Sequence, residues 1–377
     1  MTELHYLDNA ATAPVLPAAI QAAGEAMARW GNPSAQYSLG QDARREVEEH
    51  RRTVAGALGC QPEEVVFTSG GTEGDNWAIS RAATRRGGHI ITTAVEHSAV
   101  LEPVKALTQK GFDVTYLPVD DQGRVSVADF KAALREDTVL CSVMLVNNEL
   151  GSIQPVAACA KAAKAFQKDI FFHCDAVQGF LKVPFTPREL GVDALTVSGH
   201  KIGAPKGIGG MYLKKGAKLP PLLRGGGQEN GLRSGTEPTP MIAAFAAAVE
   251  EGTRHQEAEA KRLAELRDYA AARLQESVDD LRIISPMDAP HILAVTLPGY
   301  KSEVVVRFLS DRGVYISSGS ACHKGKPSHV YAALGMPKPW RDGALRISFG
   351  HTSTKEDVDA LAHGLQEAKA MLFTTLS

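Results

Sequence analysis

Short apolar runs alternate with amphipathic stretches along residues 40–200. The apolar runs, each bounded by turn or polar residues, predict strands at Glu64–Thr68, His89–Thr93, Asp113–Leu117, Thr138–Val146, Ile170–Cys174 and Ala194–Ser198. The stretches between most of them predict helices at Asp42–Leu58, Ser98–Lys110, Val127–Leu134 and Val156–Lys168. This order predicts an α/β unit with a mostly parallel sheet flanked by helices. Ligands bind such sheets at the carboxyl ends of the strands.

A different arrangement begins near Glu250. Leucines and an alanine recur at helical spacing from Leu263 to Leu274, with charged residues between them, and predict a long amphipathic helix. Strand-like runs follow at Leu281–Ile284, Ile292–Leu297, Val314–Ser317 and Ala344–Ser348, and a closing helix runs from Thr354 to about Phe373. We therefore predict a large domain over residues 16–250 and a smaller α/β domain formed by residues 1–15 and 251–377.

Composition argues against several classes of function. The 377 residues include 41 Lys plus Arg and 43 Asp plus Glu, for a net charge of −2, with no basic stripe that would grip a nucleic acid. The apolar run Met241–Val249 is too short to span a bilayer, and the N-terminus has no apolar core like that of a secretory leader. We expect no nucleic-acid or membrane partner.

The 5 cysteines are scattered and lack CxxC spacing, so neither a disulfide framework nor a metal site is predicted. We expect a cytoplasmic location, where each cysteine is either a buried apolar side chain or a working thiol. Cys322 differs from the others because small residues precede it and His323, Lys324 and Lys326 follow it. Nearby cations favour the thiolate.

Two segments carry candidates for carbonyl-cofactor chemistry. Lys201 follows the predicted strand Ala194–Ser198 in Ser-Gly-His-Lys, where its amine is either a solvated surface group or a Schiff-base nucleophile. Asp175 ends an apolar run and is either a turn former or the partner of a protonated pyridine nitrogen. Gln178, three residues later, could reach a ring hydroxyl.

Three further positions have both a structural and a functional interpretation. The strand before Gly70-Gly-Thr72 runs into a helix whose N–H groups could bind phosphate, although such junctions also occur without a ligand. His97 could stack on a planar ring or move protons, or could be structural. Arg346, in the middle of a predicted strand, either binds a carboxylate or forms a structural ion pair.

In their order along the chain, these motifs resemble those of the cysteine desulfurases, which are pyridoxal-phosphate enzymes of the class V aminotransferase group with the fold-type I architecture. The motifs that carry the resemblance are Tyr6-Leu-Asp-Asn-Ala-Ala-Thr, Gly31-Asn-Pro-Ser34, Glu96-His97, Val146-Asn-Asn-Glu149, Asp175-Ala-Val-Gln178, Ser198-Gly-His-Lys-Ile202, Arg233-Ser-Gly-Thr236 and Ser318-Gly-Ser-Ala-Cys322. The resemblance implies conversion of L-cysteine to L-alanine, with the sulfur passed through a persulfide to an accepting protein in iron–sulfur or thio-cofactor pathways.

The resemblance also implies residue roles. Lys201 would hold pyridoxal 5'-phosphate as a Schiff base and remove the α-proton, Asp175 would pair with the ring nitrogen, Gln178 would contact the ring oxygen, and His97 would stack on the ring and act as acid or base. Gly71, Thr72, Ser198 and His200 would bind the phosphate, together with Thr236 from the partner subunit of a homodimer. Asn148 would approach cofactor and substrate, Asn32 and Arg346 would bind the substrate carboxylate, and Cys322 would accept the sulfur.

The chain departs from the family pattern at the phosphate turn. It has Gly-Gly-Thr-Glu-Gly-Asp where the family usually has Gly-Ala-Thr-Glu-Ser-Asp, and we expect Gly71 and Gly74 to loosen this turn. Competing interpretations are a selenocysteine lyase, another class V enzyme such as a transaminase, and a non-catalytic scaffold of the same fold. A transaminase needs no thiol at Cys322, and a scaffold needs neither Lys201 nor Asp175.

Overall fold

A computed structural model describes residues 4–319 and 328–374 of the chain. Its strands are β1 (His5–Tyr6), β2 (Val65–Thr68), β3 (Gly88–Thr93), β4 (Phe112–Leu117), β5 (Thr138–Ser142), β6 (Phe171–Asp175), β7 (Ala194–Ser198), β8 (Gly209–Leu213), β9 (Arg282–Ile283), β10 (Ile292–Thr296), β11 (Val314–Tyr315) and β12 (Ala344–Ser348). Its α-helices are α1 (Pro17–Met27), α2 (Ser38–Leu58), α3 (Gly71–Ser80), α4 (Ser98–Thr108), α5 (Val127–Ala133), α6 (Val156–Phe166), α7 (Pro187–Leu190), α8 (Thr239–Ser277), α9 (Ser302–Ser310), α10 (His329–Ala333), α11 (Lys338–Asp342) and α12 (Lys355–Met371).

The large sheet has the strand order β2-β8-β7-β6-β5-β3-β4. Strand β8 alone runs in the direction opposite to the other strands of this sheet. The predicted mostly parallel α/β sheet is therefore confirmed. Apolar cores cover both faces, as expected for parallel strands joined by crossover helices. Strands β6 and β7 end at Asp175 and Ser198 on the same edge, which places the chemistry-bearing segments side by side.

Two features of this sheet differ from the sequence prediction. Strand β8 was not predicted, because the Gly-Gly pair that opens it has low strand propensity. Strand β5 ends at Ser142 rather than Val146, although the N–H of Leu145 still donates to the carbonyl of Asp175 at 2.8 Å. Beyond Ser142 the chain leaves the sheet and turns toward Asn147.

Helix α8 is continuous for 39 residues and contributes to two apolar cores. Its N-terminal part, including Phe245 and Val249, packs in the core of the large sheet. Its C-terminal part, including Leu263 and Leu274, packs with Leu7 and with residues of the second sheet. We propose that the two domains meet along this helix near residue 250, with residues 1–15 belonging to the smaller domain.

The smaller unit supplies one wall of the site. Its sheet has the order β12-β10-β9, and β1 pairs in parallel with β11. Asp8 forms a bridge with Ser348, so the N-terminal segment leads from this unit toward the edge of the large sheet. Within the described residues, no helix combines the length and apolarity needed to cross a membrane.

Candidate active site

One cavity of about 280 Å³ lies at the carboxyl ends of β6 and β7. Strand β12 of the smaller unit contributes Arg346 to its lining. Most of the predicted site residues line this cavity, namely Gly71, Thr72, His97, Asn148, Asp175, Gln178, Ser198, His200, Lys201 and Arg346. The structure therefore brings together residues that are up to 275 positions apart in sequence (from 71 to 346).

The N-terminus of α3 forms one end of the cavity. Gly71 and Thr72 are its first residues, where backbone N–H groups have no partner within the helix. Ser198 and His200 lie opposite, and burial together with Lys201 lowers the pKa of His200 to about 4, so its ring is neutral. Helix N–H groups beside hydroxyl and imidazole donors form a site for a phosphate.

Gly71 and Gly74 do not loosen this turn, contrary to the expectation from sequence. A Cβ on Gly74 would lie 2.6 Å from Cγ2 of Thr196, and a Cβ on Gly71 would lie 2.9 Å from Cγ2 of Val177. The two glycines therefore allow α3 to pack directly against β7 and the segment after β6. The N–H groups of the turn are held close to the sheet edge as a result.

Asp175 forms the base of the cavity. It is buried at the end of β6, and its Oδ1 accepts the N–H of Val177 at 2.9 Å. Burial raises the pKa of Asp175, while the Val177 N–H and the charge of Lys201 oppose that rise. A buried carboxylate with so few donors can pair with a protonated ring nitrogen. Gln178 is fixed beside it, because its Nε2 donates to the carbonyl of Ala10 at 2.9 Å.

Lys201 extends into the cavity from a short 3-10 turn, Gly199–Lys201, that directly follows β7. Its Nζ donates to the carbonyls of Ala10 at 2.6 Å and Ala11 at 2.9 Å. The ammonium group is thus anchored on backbone oxygens of the N-terminal segment and not in bulk solvent. This position rules out a simple solvated surface lysine.

The His97 ring is oriented by the helix that it caps. His97 is the N-cap of α4, and its Nδ1 accepts the N–H of Ala99 at 3.1 Å. A ring nitrogen that accepts a hydrogen bond carries no proton, so the neutral ring has its proton on Nε2. His97 can therefore present an Nε2–H group to the cavity.

Arg346 forms the structural ion pair that was one of the two roles considered for it. Its Nη2 pairs with Oδ1 of Asp8 at 2.8 Å, and its Nη1 donates to the carbonyl of Asn148 at 2.8 Å. Its Nε is buried and has no hydrogen-bond partner among the described residues. The ion pair fixes the guanidinium in the cavity wall, and these two contacts leave further N–H donors of the guanidinium unused.

Two of the predicted residues that the structure describes do not line this cavity. Asn32 is exposed, and its Oδ1 accepts the N–H of Ser34 at 2.9 Å in a turn of its own. Thr236 is also exposed, in the glycine-rich segment before α8. Cys322 lies outside the described residues, between Gly319 and Ser328.

Sequence reasoning missed Asp75 and the carbonyls of Ala10 and Ala11. Asp75 is buried at the cavity wall and lies one helical turn after Gly71 and Thr72 on α3. An acidic residue just before the apolar Trp77-Ala78-Ile79 was the available signal. The carbonyls had no signal of their own, because only the tertiary fold brings residues 10 and 11 to Lys201.

Residues 5–361 match the model of the family described as aminotransferase class-V. The chain is 41% identical over 362 residues to the cysteine desulfurase IscS of Dictyoglomus turgidum, with 94% of this chain and 91% of that protein covered. This chain belongs to the cysteine desulfurase family of class V aminotransferases. The sequence-based assignment to that family is confirmed.

Solved structures agree with the family assignment. The structure titled NIFS-like protein is similar with a TM-score of 0.92 and 36% identity, covering 98% of this chain and 100% of that one. A structure titled SspA in complex with cysteine has a TM-score of 0.82 and 34% identity, covering 93% of this chain and 100% of that one. The chain therefore has the fold-type I architecture that the resemblance implied.

The cofactor of this family is pyridoxal 5'-phosphate, and the residues of the cavity fit it. The cavity offers an amine for the aldehyde at Lys201, a carboxylate for the ring nitrogen at Asp175 and a helix N-terminus for the phosphate at Gly71. A Cβ on Gly71 would intrude on Val177, so its absence lets the N-terminus of α3 pack at the edge of the cavity. One oxygen of Asp75, which also lines the cavity, is buried without a hydrogen-bond partner among the described residues.

Proposed function

We propose that this protein desulfurates L-cysteine and takes the sulfur onto Cys322. L-cysteine and the Cys322 thiol become L-alanine and a Cys322 persulfide, so the Cβ–S bond breaks, an S–S bond forms and Cβ gains hydrogen. The sulfur is oxidised as Cβ is reduced, and no further oxidant is required. The convergence of Lys201, Asp175 and Arg346 on one cavity is the observation that carries the proposal.

Lys201 attaches the cofactor and later handles a proton. Its Nζ forms the covalent link and, once the substrate amine has displaced it, takes the α-proton of the substrate. Pyridoxal phosphate, when bound, supplies the electron sink that makes this proton acidic and allows the Cβ–S bond to break. The Ala10 and Ala11 carbonyls, which accept hydrogen bonds from Nζ, would hold the released neutral amine close to that position before it takes the proton.

Asp175 and Gln178 set the protonation and orientation of the ring. The buried Asp175 carboxylate keeps the ring nitrogen protonated, since an opposite charge in a low-dielectric site stabilises it strongly. Gln178, held in place by its hydrogen bond to the Ala10 carbonyl, would contact the ring oxygen. His97 would stack on the ring and donate a proton from Nε2, because Nδ1 is engaged with Ala99.

Arg346 and Asn148 orient the amino acid. The Arg346 guanidinium binds the substrate carboxylate, and Asp8 and the Asn148 carbonyl prevent it from swinging away. The Asn148 side chain lines the cavity beside the cofactor position. A carboxylate held at this wall would fix the orientation of the substrate in the cavity.

We also propose a homodimer in which Thr236 reaches the phosphate of the partner's site. Support comes from the surface that carries both exposed predicted residues: Nε2 of Gln228 donates to Oγ of Ser34 at 3.5 Å, and its Oε1 accepts the N–H of Gly235. Large exposed apolar side chains occur in the two chain segments that form this surface, with Trp30 80% exposed. The others in these segments are Tyr37, Leu39, Leu222 and Leu223. The dimer would supply both Thr236 and Asn32 across its interface.

We propose a cytoplasmic setting with a sulfur-accepting protein as partner. Cys60, Cys141, Cys159 and Cys174 are free thiols, as expected in a reducing compartment. A persulfide on an enzyme must be passed on for turnover to continue, which requires an acceptor for the sulfur. Iron–sulfur or thio-cofactor assembly fits the relatives named as cysteine desulfurases.

The purified protein with pyridoxal phosphate, incubated with L-cysteine, provides the test. We expect equal amounts of alanine and labelled Cys322 persulfide in a first turnover, and sustained alanine formation when a thiol reductant is added. Release of alanine without persulfide on Cys322 would favour the selenocysteine lyase alternative, and formation of the keto acid of cysteine in place of alanine would favour a transaminase. Lack of any spectral change on adding cysteine would favour a non-catalytic scaffold.

A further inference from the structure

Glu149 ends the Val146-Asn-Asn-Glu149 motif, and none of the roles above uses it. Its side chain is only 1% exposed. The turn around it is fixed by Asn147, whose Oδ1 accepts the N–H groups of Glu149 and Leu150 at 2.9 Å each and whose Nδ2 donates to the carbonyl of Val95. These adjacent residues therefore have different surroundings: Asn148 lines the cavity, whereas Glu149 does not.

The Glu149 carboxylate accepts a hydrogen bond from Ser328 and lies close to Gly319, and these two residues flank the segment 320–327. Oγ of Ser328 donates to Oε2 of Glu149 at 2.5 Å, and the same Ser328 oxygen caps α10 by accepting the N–H groups of Val330 and Tyr331. Gly319 lies against the same carboxylate oxygen, because a Cβ on it would stand 3.1 Å from Oε2. Gly319 also has φ +89°, which favours glycine there.

The same segment of chain is tied to the substrate side of the cavity. Ser317 and Arg346 exchange two backbone hydrogen bonds, at 3.1 and 2.8 Å, just before Gly319. Arg346 in turn donates to the carbonyl of Asn148, the residue before Glu149. Positions 319 and 328 therefore have a fixed place relative to the carboxylate-binding arginine.

We propose that Glu149 is a positioning residue that fixes Gly319 and Ser328, the two residues on either side of the segment 320–327 that contains Cys322. This inference depends on the proposed function only for the role of Cys322. The hydrogen bond from Ser328 to the buried carboxylate, together with the close approach of Gly319, fixes the two flanking residues. Misplacing a reacting group by about 1 Å can cost about 100-fold in rate, so the positions of these two residues matter for sulfur transfer.

The test measures the reaction of the cofactor with L-cysteine and the transfer of sulfur to Cys322 separately in the holoenzyme. Glu149→Ala should load pyridoxal phosphate and change its spectrum with L-cysteine at the wild-type rate, while persulfide formation on Cys322 falls about 10- to 100-fold. The rate of Cys322 alkylation by iodoacetamide, followed by mass spectrometry, should also change. Glu149→Gln should restore sulfur transfer to within about threefold of wild type, because its amide oxygen still accepts from Ser328.

Asp288→Asn is the matched control. Asp288 holds the same loop from its other end, accepting the N–H of Ile153 at 3.0 Å and pairing with Arg124 at 2.5 Å, but it does not touch Gly319 or Ser328. In this variant, the rate of persulfide formation relative to the rate of the spectral response should be the same as in wild type. If Glu149→Ala fails to fold, Ser328→Ala removes the same hydrogen bond and should give the same separation.

Three results would overturn the proposal: wild-type persulfide formation in Glu149→Ala, equal loss of the spectral response and of sulfur transfer, or a Gln variant no better than the Ala variant. A wild-type protein that forms no persulfide on Cys322 would instead contradict the proposed function. The alkylation rates would still report whether Glu149 positions the segment, so the two failures are distinguishable.

Discussion

Asp75 and Asp175 bring carboxylate oxygens within 4.8 Å of each other, and both side chains are buried. His173 lies 3.5 Å from Asp75, but burial lowers the pKa of His173 to about 3, so it supplies no positive charge. Burial, and next the charge of Asp175, raise the pKa of Asp75 well above its usual range. Asp75 is therefore the carboxyl group that stays protonated. Asp175 is the one that ionises, because the charge of Lys201 opposes the rise of its pKa.

Asp75→Asn should make the cofactor-free protein more stable at higher pH. The folded protein binds more protons than the unfolded chain between pH 3.8 and the raised pKa of Asp75, so wild-type stability falls as pH rises through that window. Asn does not titrate, and each unit of pKa elevation corresponds to about 1.4 kcal/mol. Urea unfolding from pH 4 to 8 should show that the free energy of unfolding of the variant increases relative to that of wild type as the pH rises. Parallel plots of this free energy against pH would contradict the assignment.

Lys201→Ala should abolish both the covalent link to pyridoxal phosphate and turnover. The phosphate and Asp175 contacts remain, so we expect the cofactor still to bind, only more weakly. Borohydride reduction of the wild type followed by peptide mapping should place the pyridoxyl group on Lys201. Lys206→Ala, an exposed neighbour, is the control and should behave as wild type. A label on any other lysine contradicts the assignment.

Cys322→Ala should separate cofactor chemistry from sulfur transfer. It should bind pyridoxal phosphate and respond to L-cysteine, while alanine formation falls by orders of magnitude, because an activated nucleophile contributes several kcal/mol to the barrier. Burial raises the pKa of the Cys141 and Cys174 thiols, which makes them poor nucleophiles. Their alanine variants should lose about 1–3 kcal/mol of stability with little change in turnover.

Subunit mixing should reveal a shared site. Lys201→Ala and Thr236→Ala each impair every site of their own homodimers. In a mixed dimer, one site has the Lys201 of one subunit and the Thr236 of the other, and should be intact. We expect activity to reappear on mixing after mild dissociation, up to half the wild-type level per mixed dimer. No recovery, or a monomer by light scattering with full activity, would contradict the shared site.

Gly74→Ala should destabilise the protein by about 1–3 kcal/mol, because its Cβ would meet Cγ2 of Thr196 at 2.6 Å. Thr196→Ser removes that methyl group and keeps the hydroxyl that bonds Nε2 of His173 at 3.0 Å. Thermal unfolding of both single variants and the double variant should show that the second substitution recovers part of the loss, because Oγ1 of residue 196, 2.9 Å from the added Cβ, remains. Simple additivity would mean that the close approach is not the cause.

The amino-acid sequence by itself was enough to predict the alternation of strands and helices. It also predicted that Asp175 and Lys201 lie at the carboxyl ends of neighbouring strands. Apolar runs such as Ala194–Ser198 form buried strands wherever both faces of a sheet are covered, and chain order then predicts parallel pairing. The motifs were also enough for the family. These features depend on local spacing, which a sequence displays directly.

Other features were decided only by the tertiary structure. Strand β8 forms despite Gly209 and Gly210 because it fits between β2 and β7, where a Cβ on Gly209 would lie 2.8 Å from Cα of Gly70. The carbonyl of Ala10 meets Lys201 across 191 residues, and Asp75 meets Asp175 through the packing of α3 on β7. Backbone carbonyls and burial have no signature in composition or periodicity, so the anchoring of Lys201 and the protonation of Asp75 depend on the packed chain.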